Sequence, residues 1–377
     1  MNKEMAELGR GKSAIRELYE YGLSRLEAGL AVYDYSLGNP SVGVAAAVER
    51  AILLAVKEDM HGYTVASGLS EVRESIAGAL NKRYGTSYDA GNIFMVSGAA
   101  AAITIALKAM LKAGEEVIVS APYFPEYKVF VEGAGGVLKV VRARSEDWQV
   151  DVEAMRDLIS ERTAGIIINS PNNPSGVVYS EETLAKIGAL AGERDLIIIS
   201  DEPYRELTYG AKVAWVPTVY KKTLVCYSYS KSYSLAGERI GYILIPDELE
   251  EYKAAVAGAA RSLGHVNAPV LWQKVIGKCA GMKVDVSEYA ANGRLLYKIL
   301  KGAGYECSKP QGAFYLWVKS LEPDEEAFCA RAKEYGLLLV PSRTFGVRGY
   351  FRAAYCVKRE MIEESAAAFK ELAASYA

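Results

Sequence analysis

The sequence predicts an α/β protein: a large domain with a mostly parallel sheet flanked by helices, plus a smaller α+β domain. Three observations lead there. Short apolar, β-branched runs recur through the middle of the chain with helical stretches between them, as expected for strands buried on both faces. Past about residue 275 the texture changes to a long helix, three short strands and a closing helix. At 377 residues the chain is long enough for more than one domain. The division expected is residues 40–275 for the large domain, and 1–39 with 276–377 for the small one.

In chain order, the N-terminal stretch "MNKEMAELGRGKSAIRELYEYG" is charged and helical in pattern. "GNIFMVSG" reads as a strand, and "AAAAITIALKAMLKAG" as a helix closed by Gly114. "EEVIVSAPYF" is a strand entering a proline turn, "VEAMRDLISERT" a helix, and "AGIIINSPNNPSG" a strand entering another turn. Ser180 is the expected N-cap of the helix "SEETLAKIGALAGERD". "LIIISDEPY", "TLVCYSYSK" and "RIGYILIP" complete the large sheet. In the small domain "DVSEYAANGRLLYKILKGAG" is helical, "GAFYLWVKS", "GLLLVPS" and "YFRAAYCV" are strands, and "REMIEESAAAFKELAASYA" closes the fold as a helix.

Composition narrows the function. A formal net charge of −2 gives no electrostatic reason to expect nucleic acid or an anionic membrane as partner. Five widely spaced cysteines without a CxxC pair, and two histidines, argue against a disulfide framework, a metal site or a Ser-His-Asp triad. The N-terminus lacks the apolar core of a signal peptide, and no apolar stretch reaches the roughly 20 residues that span a bilayer. A reduced, cytoplasmic protein is expected.

Open parallel sheets bind ligands beyond the carboxyl ends of their strands. The polar residues there are Ser97-Gly98, Tyr123-Phe124, Asn169 to Gly176, Asp201 to Tyr204, and Ser228 to Lys231. Together they suit an aromatic aldehyde carrying a phosphate. In "SGAAAAI" the free amides of Ala99 and Ala100 open a helix with only methyl side chains, so a phosphate can approach closely. Ser228 and Ser230 add hydroxyls, and Arg239 adds a charged fork. Asp201 ends an apolar strand, where a carboxylate is costly unless a cation such as a protonated pyridine nitrogen pairs with it. Asn173 and Tyr204 could hydrogen-bond a phenolic oxygen on the same ring, and Phe124 could stack on its face.

Four motifs in family order carry a resemblance. "NSPNNPSG", "SDEPY", "SYSKSYSLAGERIGY" and "GYFRAAYC", with "SLGNP" and "GYTVASGLSEVRESIA" as looser matches, resemble the class I/II aminotransferases of the aspartate aminotransferase superfamily. These are pyridoxal-phosphate-dependent enzymes of fold type I, and the likeness runs from about residue 13 to the C-terminus. It implies that Lys231 is the Schiff-base lysine and proton shuttle, binding pyridoxal 5′-phosphate covalently. Asp201 would partner the ring nitrogen, Asn173 and Tyr204 the ring oxygen, and Phe124 the ring face. Ser228, Ser230, Arg239 and the amides of Ala99 and Ala100 would cradle the phosphate. Tyr63 matches a tyrosine reaching the neighbouring subunit's phosphate, which implies a homodimer with shared sites. Arg352 would grip the substrate α-carboxylate, helped by Gly38 and Asn173.

The implied reaction moves an amino group between an amino acid and a 2-oxo acid. Two alternatives share the scaffold: a C–S (β) lyase, and a non-enzymatic cofactor-sensing regulator, for which no DNA-binding domain is expected ahead of the fold. Taken alone, Lys231 reads as a solvated structural residue, Asp201 as a turn residue and Arg352 as an edge-strand ion pair. The phosphate turn "SGAAAA" carries no cation for a second carboxylate. A small or apolar substrate is therefore expected over aspartate, the alternative source of the missing charge being Arg261 of the partner subunit.

Overall fold

A computed structural model describes residues 1, 3–10, 14–58, 61–211 and 213–376. The N-terminal stretch forms two helices, Lys3–Arg10 and Ala14–Glu27. Position 13, where the family likeness is placed to begin, lies outside the described residues.

The strands in chain order are β1 (Tyr33–Asp34), β2 (Ile93–Val96), β3 (Glu116–Ala121), β4 (Val137–Arg142), β5 (Thr163–Asn169) and β6 (Ile197–Asp201). They continue with β7 (Thr223–Ser228), β8 (Gly241–Leu244), β9 (Tyr315–Lys319), β10 (Leu337–Leu338), β11 (Val340–Pro341) and β12 (Tyr350–Ala354). A seven-stranded sheet runs β2-β8-β7-β6-β5-β3-β4. β8 runs antiparallel to both its neighbours, β2 and β7, and the other adjacent pairs are parallel. The inner strands β3, β5, β6 and β7 are buried almost throughout, because helices cover both faces of the sheet. Helix Ala99–Met110 packs one face through Ile103, Ala106 and Leu107, while Leu184, Ile187 and Leu190 of helix Glu181–Glu193 pack the other.

A second, three-stranded sheet runs β11-β12-β9, antiparallel throughout, and a two-residue parallel pair joins β1 to β10. Helices Ser287–Gly302 and Arg359–Ala374 share one core with this layer, through Leu296, Leu300, Phe351, Ile362 and Phe369.

Several details differ from the sequence reading. Helix Ala99–Met110 stops four residues before Gly114, because Leu111 is extended and Gly114, at φ +80°, makes a turn into β3 instead of a helix cap. Helix Val152–Leu158 likewise ends early, at an extended Ile159. "GLLLVPS" is two strands, since Leu338 pairs with β1 while Val340 pairs with β12. Strand β4, half exposed at the sheet edge, has no continuous apolar run to mark it. Ser180 caps its helix as expected, its hydroxyl accepting from the Thr183 amide at 3.0 Å. Among the described residues no helix is long and apolar enough to cross a membrane.

Candidate active site

Strand register sets the centre of the site. Asn169 and Asp201 are the last residues of β5 and β6 and lie side by side; Asp201 also faces Cys226 of β7, two residues before Ser228. A short helix, Tyr229–Ser232, follows β7, and the Ser228 hydroxyl accepts from the Ser230 amide at its start. This turn carries Lys231 into a cavity of ≈ 300 Å³ lined by residues of both sheet layers. Of the sequence candidates, Gly38, Ala99, Ala100, Phe124, Asn173, Asp201, Tyr204, Ser228, Ser230, Lys231, Arg239 and Arg352 all line it. Tyr63 does not; it stands on the surface, 89% exposed.

At one end, Gly98 (φ +87°) opens helix Ala99–Met110. An added Cβ at Gly98 would meet Arg239 Nη2 at 2.6 Å, so only glycine lets the guanidinium approach this helix start. Arg239 donates to the Ser230 hydroxyl at 3.2 Å, and the Ser228 and Ser230 hydroxyls lie 2.7 Å apart. Free helix amides, two hydroxyls and a guanidinium form a cradle for a phosphate-sized anion.

At the floor, Tyr127 Oη donates to Asp201 Oδ2 at 2.5 Å, and Asn169 Nδ2 donates to the Asp201 carbonyl at 2.9 Å. Asp201 Oδ1 is buried without a partner. Burial pushes this carboxyl up to about 7, the nearby Glu202 adding to the rise and the Tyr127 bond opposing it. Lys231 Nζ donates to the Gly38 carbonyl at 2.7 Å. Burial is the main force bringing this amine down to about 8; Arg352 and Arg239 reinforce it, and Cys356 opposes it.

Arg352 sits on β12, the central strand of the small sheet, and is 2% exposed. The edge-strand reading of this residue is therefore wrong: β9 and β11 flank it on both sides. Nη1 donates to Asn173 Oδ1 at 3.0 Å and Nη2 to the Ser36 carbonyl at 2.5 Å, while Nε is buried without a partner. The guanidinium also lies 4.5 Å from the Tyr315 ring centroid and 5.1 Å from that of Phe345. Buried, with one donor uncommitted, it could receive an anion.

The sequence reading did not single out two tyrosines here. Tyr315 lines the cavity and shares a 2.9 Å hydrogen bond with Tyr204. It packs so closely on Gly38 that a Cβ there would meet its hydroxyl at 2.1 Å. Tyr127 reaches Asp201 from outside the cavity. A larger cavity, ≈ 630 Å³, lies elsewhere beside Arg205, but that arginine is already paired with Glu202 and Glu206.

The raised Asp201 value has a thermodynamic signature in the ligand-free protein. Between the ordinary carboxyl value of 3.8 and about 7, the folded chain holds a proton that the unfolded chain has lost. Stability contributed by that proton is complete below the lower value and is lost as pH rises through the upper one. The shift corresponds to roughly 4 kcal/mol. Urea unfolding of wild type and Asp201→Asn should therefore give a stability difference that moves against wild type from pH 4 to 8. A difference that stays flat would contradict the raised value.

The aminotransferase class I and II family model matches residues 27–369. A probable aspartate/prephenate aminotransferase of Aquifex aeolicus is 29% identical, with 89% of each chain covered. A putative aminotransferase of Bacillus subtilis, YugH, is 31% identical, also over 89% of each chain. Among solved structures, an aminotransferase from Eubacterium rectale is 49% identical and superposes with a TM-score of 0.97, covering 100% of this chain and 99% of that one.

Proposed function

Because the chain belongs to the class I and II aminotransferases, we propose that the cavity around Lys231 is its transamination site. The enzyme is a pyridoxal-phosphate-dependent transaminase, and its substrates are an amino acid and a 2-oxo acid. The observation that carries the assignment to this cavity is the unpartnered Asp201 Oδ1, sharing the cavity with an amine at about 8. A buried carboxylate oxygen without a donor fits a protonated ring nitrogen, and the anion cradle fits the phosphate.

In this reading Asp201 Oδ1 would accept from the ring nitrogen, and Asn173 and Tyr204 would hold the ring oxygen. Phe124 would cover the ring, while Ser228, Ser230, Arg239 and the amides of Ala99 and Ala100 would bind the phosphate. When bound, the cofactor supplies an electron sink for the charge released at the substrate α-carbon. Lys231 Nζ would attach the cofactor and, as a free amine, would move the substrate's α-proton. Its lowered value leaves a useful fraction neutral near pH 8, as a base requires. Arg352, with the Gly38 backbone and Asn173, holds the α-carboxylate.

We extend the proposal to a homodimer in which the partner subunit's Tyr63 completes the phosphate site. Exposed Leu53, Leu54, Val56, Tyr63, Val65, Leu263 and Val266 support it, as large apolar side chains that a partner subunit could cover. The Ser67 carbonyl and the His265 ring both bond the backbone of Met95, which brings two of these segments together. We also take residues 40–275 as the cofactor-binding domain, since the seven-stranded sheet falls wholly within them. Five free thiols accord with a reducing, cytoplasmic setting.

The cations lining the cavity are Lys231, Arg239 and Arg352, each already given a role. A dicarboxylate would need one more; Arg261, on an exposed helix end outside the cavity of its own chain, could supply it only from the partner subunit. The preference proposed is for a small or apolar donor. It predicts a higher kcat/KM for alanine or methionine than for aspartate; the reverse order would refute it, and the name of the Aquifex relative makes the comparison pointed.

Visible spectra of the purified protein with single amino acids, and no 2-oxo acid, test the whole reading. Loss of the yellow cofactor band with one equivalent of 2-oxo acid formed is the expected result. Colour that persists while 2-oxo acid and ammonia accumulate would mean a lyase.

A further inference from the structure

Asp201 is held by a residue that no part of the assignment above has used. Tyr127 follows Pro125 by two positions, on helix Glu126–Gly133, and its ring is 2% exposed. It does not line the cavity around Lys231. It belongs instead to a small enclosed space shared with Asn169, Asn172 and Tyr179. From there its hydroxyl donates to Asp201 Oδ2 at 2.5 Å. Asn169 Nδ2, which grips the Asp201 carbonyl at 2.9 Å, lies 3.4 Å from the same Oδ2. Both side-chain donors converge on one carboxylate oxygen, and the other, Oδ1, has none.

We propose that Tyr127 is a positioning residue that commits Oδ2 and so presents Oδ1, ionised, to the cofactor's ring nitrogen. This rests on the role proposed for Asp201. A carboxyl group turns readily about its terminal torsion, so an aspartate at the end of β6 has no fixed facing oxygen of its own. A donor behind it removes that freedom. A hydrogen bond to the charged form also favours that form over the protonated one, and a protonated carboxyl offers the ring nitrogen no charge. Tyr127 therefore does two things from behind the wall of the site: it selects the oxygen and shifts the carboxyl toward its anionic form against the burial that opposes it.

The test uses cofactor-free wild type, Tyr127→Phe, Tyr179→Phe, Asp201→Asn and the double variant Tyr127→Phe/Asp201→Asn. Tyr179 shares the enclosed space and is equally buried, but its hydroxyl does not bond Asp201, so it controls for loss of a buried hydroxyl. Pyridoxal 5′-phosphate affinity is measured by fluorescence titration, and kcat and KM after reconstitution. Tyr127→Phe should weaken cofactor binding on the order of tenfold or more, as for loss of a hydrogen bond to a charged group. It should also lower kcat more than it changes KM. Tyr179→Phe should change neither. In the Asp201→Asn background, Tyr127→Phe should add nothing. That comparison removes the buried charge, so it stays readable if the single variant folds poorly. Unchanged affinity in Tyr127→Phe, or an equal loss in the presence and absence of Asp201, would overturn the proposal. Failure of wild type to bind the cofactor would overturn the site assignment itself, and this result is distinguishable from the others.

Discussion

Replacement of Lys231 by alanine should abolish turnover while leaving a folded protein. General acid–base transfer alone contributes about 10²–10⁴-fold, and here the same Nζ is the atom proposed to attach the cofactor. A fall in kcat of at least about a thousandfold is expected. The structural loss is small by comparison. Lys231 gives one hydrogen bond, to the Gly38 carbonyl, worth roughly 1 kcal/mol net. Against it stands relief from holding an amine whose burial already lowers it to about 8. The cofactor-free variant should thus melt within a few degrees of wild type. Activity within tenfold of wild type would remove Lys231 from the chemistry.

Arg352→Ala should produce the second large effect, on kcat/KM. Truncating one partner of a buried, hydrogen-bonded charge pair costs about 2–5 kcal/mol, or roughly 30-fold to several thousandfold. Lysine should not restore it. The guanidinium spans Asn173 Oδ1 and the Ser36 carbonyl while contacting the rings of Tyr315 and Phe345, and an ammonium has neither the fork nor the plane to do so. The penalty should be specific to carboxylates. Half-reaction rates with a primary amine lacking the α-carboxyl should fall far less than those with the matching amino acid. Equal losses for both would mean that Arg352 supports the fold rather than the substrate.

Lys231, Asp201 and Arg239 were legible because each is chemically out of place where it stands, and Asn173 because the turn around it resembles a family motif. A lysine between serines at a strand end, or an aspartate after "LIIIS", needs a reason that packing cannot give. Tyr127 and Tyr315 were not legible, since a tyrosine on a helix face or an apolar strand packs well whatever its hydroxyl does. Among 26 tyrosines, only the fold separates those two from the rest. The inner strands were read from their continuous apolar runs. At the sheet edge β4 has only part of its side chains buried and gives no such run. The division of "GLLLVPS" escaped because Leu339 is as apolar as its neighbours; what divides the segment is a choice of partner strands, which hydrophobicity does not encode.

The pairing of β1 with β10 matters for how the molecule is made. Tyr33 and Asp34 lie against Leu337 and Leu338, and the Tyr35 carbonyl accepts from the Ala354 amide at 2.8 Å. The same short segment then delivers the Ser36 carbonyl to Arg352 and the Gly38 carbonyl to Lys231. On a ribosome, synthesis proceeds from the N-terminus, and domains tend to fold as they emerge. The seven-stranded sheet has all its strands once Leu244 is out. Residues 33–38 must wait for a strand made some three hundred residues later. A nascent chain can therefore own a finished anion cradle well before it owns a substrate clamp, and the two become one site only when the first-made segment is taken up by nearly the last.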